Sequence, residues 1–270
     1  MHFGATLRLM RLESGLGLRE LAGRLGVSSA YLSRVENGLD AAPTPTRLEA
    51  MARELRVPST LLMDLAQRVS PLVMDYVESV PEAGSLFLQL AHRELDAEQL
   101  AEVQAFVESR FPVRRRAASA FEGLADLLTP ERVVVGLACS SLDDALDVAA
   151  GRLGREVPGG ASKVAAALRG REGEVSSAIG SGVAIPCAYV PGVKLSAALV
   201  VLSPGLRAPT PDGAPLEVVV AFVGPRDSAE RRIALAHVAR LASRGLALDL
   251  RRSRSPAQVL TRLAQLETLR

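Results

Sequence analysis

Dense runs of β-branched residues occur only in the second half of this 270-residue chain, and no other feature constrains its fold as much. "ERVVVGL", "SAALVVLSP" and "LEVVVAFVGP" all lie beyond about Leu127. They alternate with helical stretches such as "SLDDALDVAAGRLG" and "SAERRIALAHVARLASRG", the pattern of an α/β layer domain. Before them the apolar spacing is helical throughout, in "LRLMRLE", "LRELAGRLG", "AYLSRVENG" and "RLEAMARELRV". A second helical block, with "LFLQLAHRELDAEQLAEVQAFVESRF", closes on "RFPVRRRAAS", a stretch with the composition of a linker. The expected organisation is multidomain: an all-α block over 1–66, a helical connector over 67–126 and an α/β domain over 127–270.

Charge and cysteine content narrow the classes. A net charge of +2 provides no bulk field for nucleic acid, so any such contact must come from local arrangement. Two cysteines far apart, Cys139 and Cys187, support neither a disulfide framework nor a zinc cluster. No metal or other cofactor is expected. No apolar run approaches the ~20 residues of a membrane span, and the N-terminal stretch lacks the order of a signal peptide. The expectation is a soluble, cytoplasmic protein with no membrane partner.

Within the first block, "LRELAGRLGVSSAYLSRVEN", Leu18 to Asn37, has the spacing of a helix-turn-helix. Ala22 is the small residue at the helix crossing, and Gly26 suits the bend, where a positive φ is cheap. Val27, Leu32 and Val35 anchor the second helix, which Ser28 caps. That leaves Ser28, Ser29, Ala30, Ser33, Arg34 and Asn37 facing outward, as the residues of a helix lying in the major groove. Arg34 is a candidate for bidentate guanine contact, with a solvated or phosphate-facing arginine as the alternative. Over residues 3–66 the block resembles the Cro-repressor-like, or XRE, helix-turn-helix family, through "FGATLRLMR", "GLGLRELAGRLGVSSAYLSRVENG" and "PTPTRLEAMARELRV". The resemblance implies double-stranded DNA as partner, a homodimer reading two half-sites, and an ion pair between Arg11 and Glu36. Gly17 and Leu18 stand where the family often has a Ser/Thr-Gln pair, so phosphate contact falls to Arg19, Arg47 and backbone amides.

In the C-terminal block, "REGEVSSAIGSGVAIPCAYVPG" combines arginine, paired serines and glycines ahead of a strand. Gly180 and Gly182 would let backbone approach an oxyanion, with Ser176, Ser177 and Arg171 as donors. Ordinary turns share that composition. From about Phe121 to Arg270 the chain resembles the enzyme IIA domain of the fructose/mannitol-type sugar phosphotransferase system, nitrogen-regulatory branch included. Arg171-Glu172, "SSAIGSGVAIPC" and "DGAPLEVVVAFVGPRDSAERRIALAHVARLA" carry that likeness. It implies a mixed sheet flanked by helices, and a phosphoryl-accepting histidine where this chain has Cys187. A second histidine aligns with Arg231. His237 lies six residues further along that helix, about 120° away.

A thiol is not an equivalent carrier to imidazole, and a one-residue swap does not rebuild the loop that thiophosphate carriers use, so the expectation is no enzyme but a regulator with a sensory or interaction domain. The alternative is a phosphocarrier or redox sensor working through Cys187. Three readings of Cys187 stay open: a small packing residue, a wall of a site where Arg171 and Arg231 bind a small anionic effector, or a thiol acidified by those arginines and open to oxidation. Docking of a phosphotransferase-system protein is the remaining partner expectation.

Overall fold

The computed structural model describes residues 3–67, 69, 71–111, 123–226 and 228–268. The first block folds as five helices: α1 (Phe3–Glu13), α2 (Leu18–Arg24), α3 (Ser29–Glu36), α4 (Pro45–Leu55) and α5 (Ser59–Leu65). Local chemistry sets their ends. Gly26, at φ 65°, turns the chain between α2 and α3, and the Ser28 hydroxyl accepts the Tyr31 amide at 3.1 Å to cap α3. Pro45 opens α4, where its missing N–H costs nothing. Leu7, Met10, Leu21, Leu32, Leu48 and Leu62 are fully shielded in the centre.

Three further helices follow: α6 (Pro71–Ser79), α7 (Pro81–His92) and α8 (Ala97–Arg110). They leave large apolar side chains exposed, among them Leu86, Phe87, Leu88 and Phe106. Residues 112–119 of the linker-like stretch lie outside the described residues.

The last part is an α/β layer. Its order is β1 (Val133–Leu137), α9 (Leu142–Leu153), α10 (Gly160–Glu174), β2 (Ala178–Gly180), β3 (Val183–Ala184), β4 (Cys187–Tyr189), β5 (Ser196–Leu206), β6 (Leu216–Gly224), α11 (Ala229–Ser243), α12 (Leu246–Leu250) and α13 (Pro256–Thr268). The sheet runs β1-β5-β6-β3-β2, with β4 also paired to β6. It is mixed: β1 is parallel to β5, β5 antiparallel to β6, and β3 and β4 are parallel to successive parts of β6. The period of two along β6 separates two cores. Val218, Val220 and Phe222 face α11, α12 and α13, while Val219, Ala221 and Val223 face α9 and α10.

The α11 side of the sheet does not end in solvent. Its core is continuous with the leucines of the first block: α5 and α1 pack on α11, and α1 also reaches β2. The helix-turn-helix is therefore seated on the face of the α/β layer that carries Cys187.

Candidate functional site

Two sites emerge from this arrangement. On α3, Leu32 and Val35 are buried, while Ala30, Arg34 and Asn37 are exposed and Ser29 and Ser33 are half-buried. Ser28, Arg19 and Arg47 are exposed on neighbouring elements. Several of these side chains are already engaged within the block, Ser28 as the cap of α3 among them. The Arg34 guanidinium donates to Asp40 through Nε at 3.0 Å and Nη2 at 2.8 Å. Asn37 Nδ2 donates to the Ser33 carbonyl at 2.9 Å. Arg47 lies 5.2 Å above the Tyr31 ring. Behind the face, the expected Arg11–Glu36 pair forms bidentately, with Nε–Oε1 at 2.6 Å and Nη2–Oε2 at 2.9 Å. Arg11 Nη1 also donates to the Leu16 carbonyl at 2.8 Å. Both side chains are buried, so the pair fixes the end of α3 to α1.

The second site surrounds a carboxylate that the sequence reading did not include. Glu13, last residue of α1, buries its side chain completely in the α/β domain. Its Oε2 accepts Arg231 Nε at 2.8 Å. Its Oε1 accepts Arg171 Nη2 at 3.2 Å and the Tyr189 hydroxyl at 3.0 Å. Arg231 is held at the start of α11, whose cap Ser228 accepts the Arg231 amide at 3.1 Å. Its guanidinium also donates to the Pro225 and Arg226 carbonyls. Arg231, Arg226 and Arg171 ring Tyr189 at 4.5, 5.5 and 5.6 Å from its centroid. Burial, then the Glu13 charge, pushes the Tyr189 phenol up to about 12, so it remains a donor.

Cys187 sits beneath this cluster, paired with Phe222 across the sheet and 2% exposed. Burial pushes its thiol well above the usual range, and Glu13 adds to the effect against the opposing pull of Arg231 and Arg171. Of the three readings of Cys187, the acidified thiol is the one this burial opposes: desolvation and a neighbouring carboxylate outweigh the two arginines. The sulfur points its proton toward the Ile185 carbonyl at 3.7 Å.

Other expected members of this site are placed elsewhere. Gly180 (φ 85°) and Gly182 (φ 73°) flank Ser181 (φ 53°) in the tight turn joining β2 to β3. The Gly182 carbonyl accepts the Glu217 and Val218 amides at 2.8 and 3.0 Å. Their positive φ is what this hairpin turn requires. Ser176 faces a crevice with Arg8, Asn37 and Pro209. The Ser177 amide donates to Glu172 at 3.0 Å, and its buried hydroxyl has no partner among the described residues. His237 is buried on the opposite part of α11, its Nε2 2.6 Å from Glu267 Oε1. Glu267 in turn accepts the Leu124 amide at 2.6 Å.

Two families match separate parts of the chain. Residues 2–65 match the family described as "Helix-turn-helix domain". Residues 126–265 match "Phosphoenolpyruvate-dependent sugar phosphotransferase system, EIIA 2". The chain is 38% identical over 81 residues to the HTH-type transcriptional repressor RghR of Bacillus subtilis (strain 168), covering 30% of this chain and 54% of that protein. It is 36% identical over 61 residues to the HTH-type transcriptional regulator SlrR of the same strain, covering 23% and 40% respectively. The chain thus spans about half or less of the length of these curated relatives. Among solved structures, the Nitrogen Regulatory Protein IIA-Ntr from Neisseria meningitidis covers 52% of this chain and 98% of its own, at 23% identity and a TM-score of 0.47. A putative PTS IIA domain from Streptococcus pyogenes M1 GAS covers 54% and 99%, at 17% identity and a TM-score of 0.44. Matched over more than half its length, the chain belongs to the sugar phosphotransferase system EIIA 2 family, and it carries a helix-turn-helix domain at its N-terminal end.

Proposed function

We propose that this chain is a sequence-specific DNA-binding transcriptional regulator whose EIIA-type domain senses or docks and does not carry phosphoryl groups. The blocks 1–66, 67–126 and 127–270 act as reader, connector and sensor. The reader set is Arg19, Ser28, Ser29, Ala30, Ser33, Arg34, Asn37 and Arg47. Names of relatives over the first block, all helix-turn-helix regulators, support the DNA-binding part.

One observation carries the non-catalytic part: Cys187 is buried beneath a seat already filled by the Glu13 carboxylate. A thiolate is the nucleophilic form of cysteine, and here burial opposes it. An incoming phosphoryl group would also have to compete with the Glu13 carboxylate. The sensor role leaves Arg171 and Arg231 as anion-holding groups. Among the described residues no helix is long and apolar enough to cross a membrane. The exposed apolar side chains of α7 and α8 support a homodimer joined through the connector.

Two assays test this reading. Selection of DNA from a random pool should yield one recoverable site, bound at least about tenfold more weakly by Arg34→Ala. Incubation with labelled phosphoenolpyruvate and the general phosphotransferase proteins should leave the chain unlabelled. Quantitative label on Cys187, passed on to an acceptor, would overturn the non-carrier reading; an empty selection would overturn DNA reading.

A further inference from the structure

Glu13 is in two unfavourable places at once. A carboxylate at a helix C-terminus opposes the helix dipole, and full burial strips it of water. Such a position persists only where the surroundings supply what water would. The α/β domain does so with two guanidiniums and a phenol aimed at the two carboxylate oxygens. Those donors belong to α10, β4 and α11, and none comes from the helix-turn-helix block. They make an oxyanion seat of the α/β domain, filled by a residue of another block.

Charge and space around the seat fit a larger anion than a glutamate side chain. Arg171, Arg226 and Arg231 face Tyr189. Against them stand Glu13 and Glu174, and the Glu174 side chain is 69% exposed; Glu172 is turned to the Ser177 amide. Arg171 Nε is buried with no hydrogen-bond partner among the described residues, a donor left over when a carboxylate fills the seat. A cleft of about 340 Å³ leads in from solvent between Gly15 and Glu13 on one side and Arg171, Glu174, Tyr189 and Arg226 on the other.

We propose that Glu13 is an internal ligand of this seat, and that a phosphate-bearing molecule entering the cleft exchanges with it and releases the end of α1 from the α/β domain. The inference rests on the C-terminal domain being a regulator and not a carrier. Phosphate suits the seat better than a second carboxylate, because a dianion offers more charge to the three guanidiniums and a third oxygen for the spare donor. Release need not unfold the reader, since the Arg11–Glu36 pair and the leucine core hold α1 to α3 independently of Glu13. It changes instead whether the end of α1 is held against α11 and β2, with the α5 contact to α11 kept.

The test uses the full chain and inorganic phosphate, at ionic strength fixed with chloride. Where a competitor fills a site, apparent affinity falls by the fraction of time the site is open. Glu13→Gln should therefore bind phosphate at least about tenfold more tightly than the unmodified chain. Adding Arg171→Gln to that variant should abolish the gain. In the unmodified chain, saturating phosphate should speed hydrogen exchange where α1 meets α11. Phosphoserine as the free amino acid provides a second arm: a gain equal to that of inorganic phosphate shows that the cleft admits an organic group, and a gain confined to inorganic phosphate assigns the seat to the free ion. If Glu13→Gln does not fold, Glu13→Asp, which keeps the charge but withdraws it, should give a smaller gain. Equal phosphate affinity with and without the Glu13 substitution, or a gain indifferent to Arg171, would overturn the proposal. No DNA enters this readout, so its failure leaves the DNA-reading proposal standing, and a failed DNA selection leaves the seat standing.

Discussion

The buried Arg11–Glu36 pair sets the orientation of α3, and its removal has a calculable cost. Both side chains are buried, with exposures of 7% and 4%. Breaking such a pair on one side strands a charge and costs about 3–5 kcal/mol. A block of about 65 residues has a total stability on the order of 3–10 kcal/mol. Glu36→Gln should therefore consume much of the stability of the helix-turn-helix while leaving the α/β sheet intact. Removing Arg11 does additional harm, because the Leu16 carbonyl loses the donor it has at 2.8 Å, a further loss of about 1 kcal/mol. Replacing both residues by methionine removes the stranded charge, so the double variant should be more stable than Glu36→Gln despite lacking every polar contact of the pair. Hydrogen exchange resolved to α1 and α3, with urea melts of the full chain, measures each corner of the cycle. A Glu36→Gln loss under about 1 kcal/mol, the cost at an exposed pair, would refute the reasoning. So would single effects that add to the double effect within about 0.5 kcal/mol.

Three further outcomes follow from the geometry. Iodoacetamide at about pH 8 should alkylate half-buried Cys139 and leave Cys187 untouched until the chain unfolds, as mass spectrometry of the peptides would show; early labelling of Cys187 would contradict its burial. Gly4→Ala should lower the melting temperature although alanine is the better helix former by about 1 kcal/mol, since the added methyl lands on the backbone carbonyls of Val35 and Glu36. Burial pushes the Glu267 carboxyl up, but hydrogen bonds from His237 and the Leu124 amide outweigh it and leave the group below its ordinary range. A lowered folded value means the stabilisation is present above the unfolded value, about 4.3, and is lost as pH falls through the folded one. The difference in thermal stability between the unmodified chain and Glu267→Gln should accordingly shrink in acid; a gap constant with pH would exclude this linkage.

Which parts of this molecule could be read beforehand depends on how far apart the partners lie. The α2–α3 turn was legible because Ala22, Gly26, Ser28, Leu32 and Val35 act within one turn or two of each other, where spacing maps directly onto contact. The β-branched runs likewise gave the α/β layer. Glu13 was not legible by spacing, since its partners lie 158 and 218 residues away. A local signal did exist: an acidic residue closing a helix, in "LMRLESG", is electrostatically misplaced and asks for an external partner. Gly180 and Gly182 read two ways for a different reason. A two-residue hairpin turn and an anion cradle both demand positive φ, so composition alone does not separate them. The three readings of Cys187 could not be separated from residue types, because what decides between them is the water that burial displaces.

The contact between Glu13 and Arg231 joins residues 218 positions apart in a single polypeptide. Its strength is therefore set by an effective molarity fixed by the intervening chain, and not by how much protein a cell makes. A few polar contacts can hold such a junction shut, where two separate molecules with the same contacts would drift apart. The threshold at which a solute opens it would then stay constant from a handful of copies to many thousands.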